Sequence, residues 1–338
     1  GDGVDGAFLR AYEAWACNLY AHDGEEPGVP GVDTVNVQPI FLGWGGVDVN
    51  LSEADVFIDG EDTKDYSGRM VAWAGDVDGD DRSDILVAAP ENDDSASGAG
   101  KMYLVRAADV DGAETVPLND LNIAWTGSSA GFNLGGYVSS KAMTGLGDID
   151  GDGNSDFMVG EPLYAGAGSP DGRAYLVLSS SVTPTSPTAI PSIETADYIF
   201  EGPPYGQLGH SMAPIGDLNE MGVVDFVIGA TNADGGKGAV YLFYGETIDS
   251  SPTIMAGSEY AVKFTAEAPG DNLGLRVAPA GDMDADGLPD LVIAAPNNDV
   301  GSSTKSGRAY LFFGDGIEGP THAAGADADH LLNGQSDN

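Results

Sequence analysis

Basic residues are scarce: 13 Lys and Arg stand against 54 Asp and Glu in 338 residues, a formal net charge of −41. A surface that anionic repels phosphate backbones, which excludes nucleic acid as a partner. Cysteine is nearly absent, and the single residue, Cys17, cannot form an intrachain disulfide. No run of 18 apolar residues occurs, so no membrane span is expected. The four histidines, His22, His210, His322 and His330, make no metal-binding pair at helical spacing. A secretory leader is also missing from the polar opening Gly1-Asp2-Gly3, so a secreted protein would be present here already processed. What is abundant is glycine, with 50 residues, in a chain that is 42% hydrophobic. That balance excludes wholesale disorder and points to many short strands joined by tight turns.

A stretch of fixed length recurs four times: GDVDGDDRSDILVAAP (75–90), GDIDGDGNSDFMVGEP (147–162), GDLNEMGVVDFVIGAT (216–231) and GDMDADGLPDLVIAAP (281–296). A strand-like segment follows each copy, as GKMYLV, GRAYLVL, GAVYLFYG and GRAYLFFG. Another precedes each, as ADVFIDG, LNIAWTG, ADYIFEG and EYAVKFT, and a Gly-rich strand such as GRMVAWAG or GHSMAPIG leads directly into the aspartates. Four strands per unit cannot bury both faces of one small sheet, so neighbouring units must stack; radial stacking predicts an all-β β-propeller of four-stranded blades. Partial repeats at both ends bring the total to about five blade equivalents. The two ends could share one composite blade, or the chain could form part of a seven-bladed ring. The propeller is assigned to residues 36–338 and a helix with its linker to 1–35, because Phe8, Leu9, Tyr12, Trp15, Ala16 and Leu19 recur at helical spacing.

Within the repeated stretch, counting from the first aspartate, acids occupy positions 1, 3, 5 and 9. These are Asp76, Asp78, Asp80 and Asp84; Asp148, Asp150, Asp152 and Asp156; and Asp282, Asp284, Asp286 and Asp290. Four carboxylates this close repel one another unless a cation lies among them. Hard oxygen donors at this count select Ca²⁺, with the backbone carbonyl at position 7 (Arg82, Asn154 and Leu288) as a further ligand. An EF-hand needs a bidentate Glu at position 12 between helices, whereas position 12 here is Val87, Val159 and Ile293 in β-branched runs. The third copy keeps Asp217, Asn219 and Asp225 but carries Met221 at position 5, which predicts a weak or empty site. About three Ca²⁺ sites are therefore expected.

The aspartate spacing, the AAP and GEP endings, and the FNLGG, GQLGH and DNLGL segments resemble the FG-GAP repeats of integrin α-subunit propellers and of many secreted bacterial proteins. The resemblance covers about residues 50–338. It implies a calcium-bearing propeller, extracellular or at the cell surface, used in adhesion, matrix or filament assembly, with other protein subunits or surface ligands as partners. Self-assembly through the chain ends or the N-terminal helix is a further possibility. The alternative is an enzyme or carbohydrate-binding lectin using the top face or central channel. No catalytic set emerges: Gly127–Gly131 formally matches G-x-S-x-G, but a Gly-rich, β-like segment follows it where a nucleophile elbow needs a helix. Asp93–Ser97 formally matches D-x-S-x-S, which on a repeat of strands reads as a polar turn.

Overall fold

The computed structural model describes residues 34–36, 54–137, 140–166, 170–184, 190–248, 251–301, 304–317 and 319–334. The helix expected over 7–20, Cys17 and most of the N-terminal partial repeat lie outside the described residues. Each repeated stretch builds the centre of one antiparallel sheet. The first blade orders β3 (Met70–Gly75), β4 (Asp84–Ala89), β5 (Lys101–Val105) and β7 (Ala124–Thr126). In the second, β8 (Met143–Gly147), β9 (Asp156–Glu161), β10 (Arg173–Val177) and β11 (Tyr198–Glu201) repeat the order. The third uses β12 (Leu208–Gly216), β13 (Asp225–Ala230), β14 (Ala239–Phe243) and β16 (Val262–Thr265), and the fourth β17 (Arg276–Gly281), β18 (Asp290–Ala295), β19 (Arg308–Phe312) and β21 (His330–Asn333). The strands in LNIAWTG, ADYIFEG and EYAVKFT, which lie upstream of the Gly-rich strands, thus close the preceding blade. A leading sheet pairs β1 (Thr34–Asn36) with β2 (Phe57–Asp59). The C-terminal strand β21 pairs with β19 and completes the fourth blade. Among the described residues it shares no sheet with β1 or β2, so the composite blade is not formed by these strands.

Both faces of each central strand are buried, and alternate residues serve different neighbours. Leu86, Ala88, Met102 and Leu104 pack toward the second blade, whereas Val87, Ala89, Tyr103 and Val105 pack toward Ile58 and Val116 of the leading sheet. Further cores fill the second–third and third–fourth interfaces. This explains why the strands read as unbroken apolar runs. The third strand of every blade buries a tyrosine completely: Tyr103, Tyr175, Tyr241 and Tyr310. Among the described residues, the outer flank of the fourth blade lacks a neighbour. Position 2 of the aspartate stretch measures this: Val77, Ile149 and Leu218 are at most 8% exposed, and Met283 is 61% exposed.

An added parallel strand, which the repeat reading did not anticipate, joins three of the sheets and is the fifth strand in two of them. The link between the third and fourth strands of one blade crosses to the preceding sheet and pairs parallel with its outer strand. β6 (Thr115–Pro117) lies on β2, β15 (Thr253–Met255) on β11, and β20 (Thr321–Ala323) on β16.

Candidate metal centres

The aspartate loops join the first and second strands of each blade. Glycine leads into every one with a positive φ, at Gly75 (+85°), Gly147 (+81°), Gly216 (+94°) and Gly281 (+74°). A β-bulge accompanies the turn in all four sheets. Positions 4 and 6 also require left-handed backbone. Glycine supplies it at five of these eight places, while Asp81, Glu220 and Ala285 adopt it with a side chain.

The position-1 aspartate organises the loop. Asp76 accepts the amides of Gly79 (2.8 Å) and Asp80 (3.1 Å) on Oδ1 and that of Asp81 (2.7 Å) on Oδ2. Asp148 does the same with Gly151, Asp152 and Gly153. Asp282 accepts from Asp286 and Gly287, and Asp217 from Met221 and Gly222.

Position 9 is fully buried and serves as a clamp. Asp84 Oδ2 accepts from Val77 N (3.0 Å) and Oδ1 from Ala107 N (2.9 Å). The pairs are Ile149 and Ser179 at Asp156, Leu218 and Gly245 at Asp225, and Met283 and Gly314 at Asp290. One amide comes from the loop itself and the other from the turn after the third strand, so the carboxylate ties the two together. Burial raises Asp84 and pushes Asp156 and Asp225 up to about 6, although the two amides each receives oppose that shift.

In three loops, one oxygen from each of positions 1, 3 and 9 lies within 4.8 Å of the others: Asp76, Asp78 and Asp84; Asp148, Asp150 and Asp156; Asp282, Asp284 and Asp290. Oxygens about 2.3–2.6 Å from a shared Ca²⁺ would be separated by about this much, and each carboxylate oxygen that accepts one amide keeps a second lone pair. The donor set therefore fits a hard cation.

In the first two loops position 5 stands apart from these groups. Asp80 is held by Arg82, through Nη2 at 2.7 Å and the backbone amide at 2.9 Å, while Arg82 also forks onto Asp111 at 2.9 Å. The Arg82 hydrogen bonds keep Asp80 below the usual carboxylate range. Asp152 accepts from Ser179 Oγ (2.9 Å), and Asp286 converges with Asp284 and Asp315. At position 7, the amides of Arg82, Asn154 and Leu288 donate to the position-5 carboxylate, which fixes the loop's second turn.

The third loop differs as its sequence does. The Met221 side chain is 65% exposed, and no three-acid group forms there among the described residues. Asn219 Nδ2 instead donates to Glu246 Oε1 at 2.6 Å, bridging the loop to the turn after the third strand. Asp111, Ser179, Glu246 and Asp315 all reach the loops from that turn. Sequence reasoning missed them; the available signal was their recurrence directly after the repeated third strand. Away from the loops, Ser128, the variable residue before the serine of the formal G-x-S-x-G, donates its hydroxyl (2.6 Å) and amide (2.7 Å) to the buried Glu161, and Asp94 pairs with Lys101 at 2.8 Å. Both segments are structural anchors.

Comparison with known proteins agrees with the repeat. Residues 274–312, from the end of one Gly-rich segment through the fourth loop to the third strand, match the FG-GAP repeat. The chain is 27% identical over 274 residues to integrin alpha-PS2 of Drosophila melanogaster, covering 76% of this chain and 18% of the relative. It is 30% identical over 251 residues to integrin alpha-IIb of Mus musculus, 71% of this chain and 20% of the relative. Phosphatidylinositol-glycan-specific phospholipase D of Rattus norvegicus is 31% identical over 172 residues, 48% and 18% of the two chains. The chain thus spans about a fifth of the length of these curated relatives. The blades and the matched repeat make the chain a β-propeller, with an FG-GAP repeat at 274–312 and sequence similar to integrin α chains.

Proposed function

We propose that this chain is an extracellular, calcium-stabilised propeller module of adhesion or surface assembly, whose partners are other proteins or surface ligands. One observation carries the reading: three loops at equivalent places in three blades gather carboxylate oxygens from positions 1, 3 and 9 at a separation suited to one Ca²⁺ each. Asp76, Asp78 and Asp84, Asp148, Asp150 and Asp156, and Asp282, Asp284 and Asp290 are the primary ligands. The position-5 aspartates Asp80, Asp152 and Asp286 and the position-7 carbonyls are the outer members of each set. The ion's task is structural. It neutralises acids that the fold has brought together and holds the loop in the shape that places the position-9 clamp.

The setting follows from affinity. Extracellular modules of this ligand type bind calcium at about 10⁻⁴–10⁻³ M, so such sites fill in extracellular fluid and stay empty in cytosol. Sequence similarity to integrin α chains supports the adhesion reading. Calorimetric titration of the metal-free protein with calcium is expected to show three sites of comparable affinity. A titration without saturable heat, in protein confirmed metal-free, would overturn the assignment.

A further inference from the structure

In a chain with 54 acids and only 13 Lys and Arg, several of the bases share one place in the repeat. Counting back six residues from the glycine that leads into each aspartate loop gives Arg69, Lys141, His210 and Leu275, with Arg276 the next residue on. These positions lie at or near the start of the first strand of each blade, at the end away from the aspartates. Lys141 stands seven residues before Asp148, about 20 Å along an extended strand, so the charge of the loops is screened from this end.

First strands of successive blades lie side by side around the axis of a propeller, and here backbone bonds draw their opening residues together. Lys141 and Ser211 form a parallel bridge, in which Lys141 N donates to His210 O (2.8 Å) and Met212 N to Lys141 O (3.3 Å). Ser211 Oγ donates across to Gly274 O of the next blade at 2.7 Å, and Arg276 folds its Nη1 back onto Leu275 O, also at 2.7 Å. The His210 ring is buried edge-on against Tyr137, with centroids 5.8 Å apart. Its Nδ1 has no hydrogen-bond partner among the described residues. All of these residues come from the second, third and fourth blades and the turns that lead into them, and none lies at an end of the chain.

The first blade neutralises its own base: Arg69 bonds to Glu91 at 3.3 Å and lies over the Tyr66 ring. Lys141 and His210 instead meet desolvation and the positive charge of Arg276, and both influences hold them below their usual range. Bases gathered in this way mirror the aspartate loops, and an anion among them offsets the repulsion. The field of the whole chain selects the kind of anion. A net charge of −41 repels phosphate chains and sulfated polymers, whereas a single negative charge meets mainly the local field, since charges beyond about 8 Å are screened. We propose that the starts of β8, β12 and β17 form a binding site for a single carboxylate group, received between the Lys141 ammonium and the Arg276 guanidinium beside Tyr137 and His210. The site stands whether or not the aspartate loops hold calcium.

Two probes carry the same group from different sources: sodium acetate, and the capped peptide acetyl-Gly-Asp-Gly-amide. Each is titrated into the full chain in calcium buffer at neutral pH and constant ionic strength, and followed by NMR at the His210 ring and the Lys141 and Ser211 amides. Saturable shifts with both are expected; tighter binding of the peptide assigns the site to an acidic side chain of a protein, tighter binding of acetate to a free small acid. Lys141→Gln and Arg276→Gln are each expected to weaken binding at least fivefold with the melting temperature retained, and Lys141→Arg to keep most of it. Should a glutamine variant unfold, acetyl-Gly-Asn-Gly-amide tests the need for charge on intact protein. Equal shifts from that neutral peptide, or no saturable shift from either carboxylate, would overturn the proposal. So would sulfate binding as tightly as acetate, because the site would then not select a single charge. Shifts confined to the amides of Gly79, Gly151 and Gly287 would place the carboxylate on calcium in the loops and likewise overturn it.

Discussion

Asp156 shows how the spacing of a residue can place it in a cluster and leave a second task unseen. Its spacing marks it as a cation ligand, and its oxygen does converge with those of Asp148 and Asp150. Yet both its oxygens already hold backbone amides, at 2.7 Å from Ile149 and 2.8 Å from Ser179, and it is fully buried. Replacing it by alanine would strand two buried donors, each costing about 1–3 kcal/mol. Asp156→Ala is therefore expected to lose about 2–6 kcal/mol in urea unfolding even with EDTA present; a loss seen only with calcium would mean that the clamp is not structural. The amide partner at Ser179 lies in a turn 23 residues downstream of Asp156, joined to it by a strand return. No one-dimensional spacing reports such a contact, which is why the aspartate cluster was legible and the clamp was not.

At the scale of elements, the four loops share a backbone but not a means of closing it. In the first, second and fourth, like charges face one another; in the third, the Asn219 amide bonds to Glu246 in place of an ion. Chelation is therefore expected to accelerate hydrogen exchange in 76–84, 148–156 and 282–290 and to leave 217–225 unchanged. Uniform acceleration of all four would show that the Asn219–Glu246 bond does not close the third loop. The four-strand blade and the deviant third loop were both legible, because the aspartates and apolar runs repeat at fixed internal spacing. The parallel fifth strand was not: Thr-Val-Pro, Thr-Ile-Met and Thr-His-Ala share only a leading threonine, and one buried side chain in each is too short a pattern to stand out.

For the whole molecule, stability without metal is set by charge held where water is scarce. Burial pushes Asp65, Asp156 and Asp225 up to about 6, so between pH 3.8 and 6 the folded state binds more protons than the unfolded. Stability from these three is present at low pH and is lost as pH rises through 6. His210 has the opposite sign: burial and the nearby Arg276 lower it to about 4, so the unfolded state binds more protons between pH 4 and 6.5. Three carboxylates outweigh one histidine, and the metal-free protein is expected to melt at a higher temperature at pH 5 than at pH 7; a lower value would show that the histidine dominates.

Calcium should relieve the same strain at neutral pH. At 1 mM free calcium, affinities of about 10⁻⁴–10⁻³ M give about 0.4–1.4 kcal/mol per site, or about 1–4 kcal/mol for three sites. The most direct measurement is the melting temperature at pH 7.5 in 1 mM calcium and in excess EDTA. A rise of several degrees with calcium is expected, reduced by about a third when Asp148 and Asp150 are both replaced by asparagine. An identical melting curve in the two buffers would contradict the account.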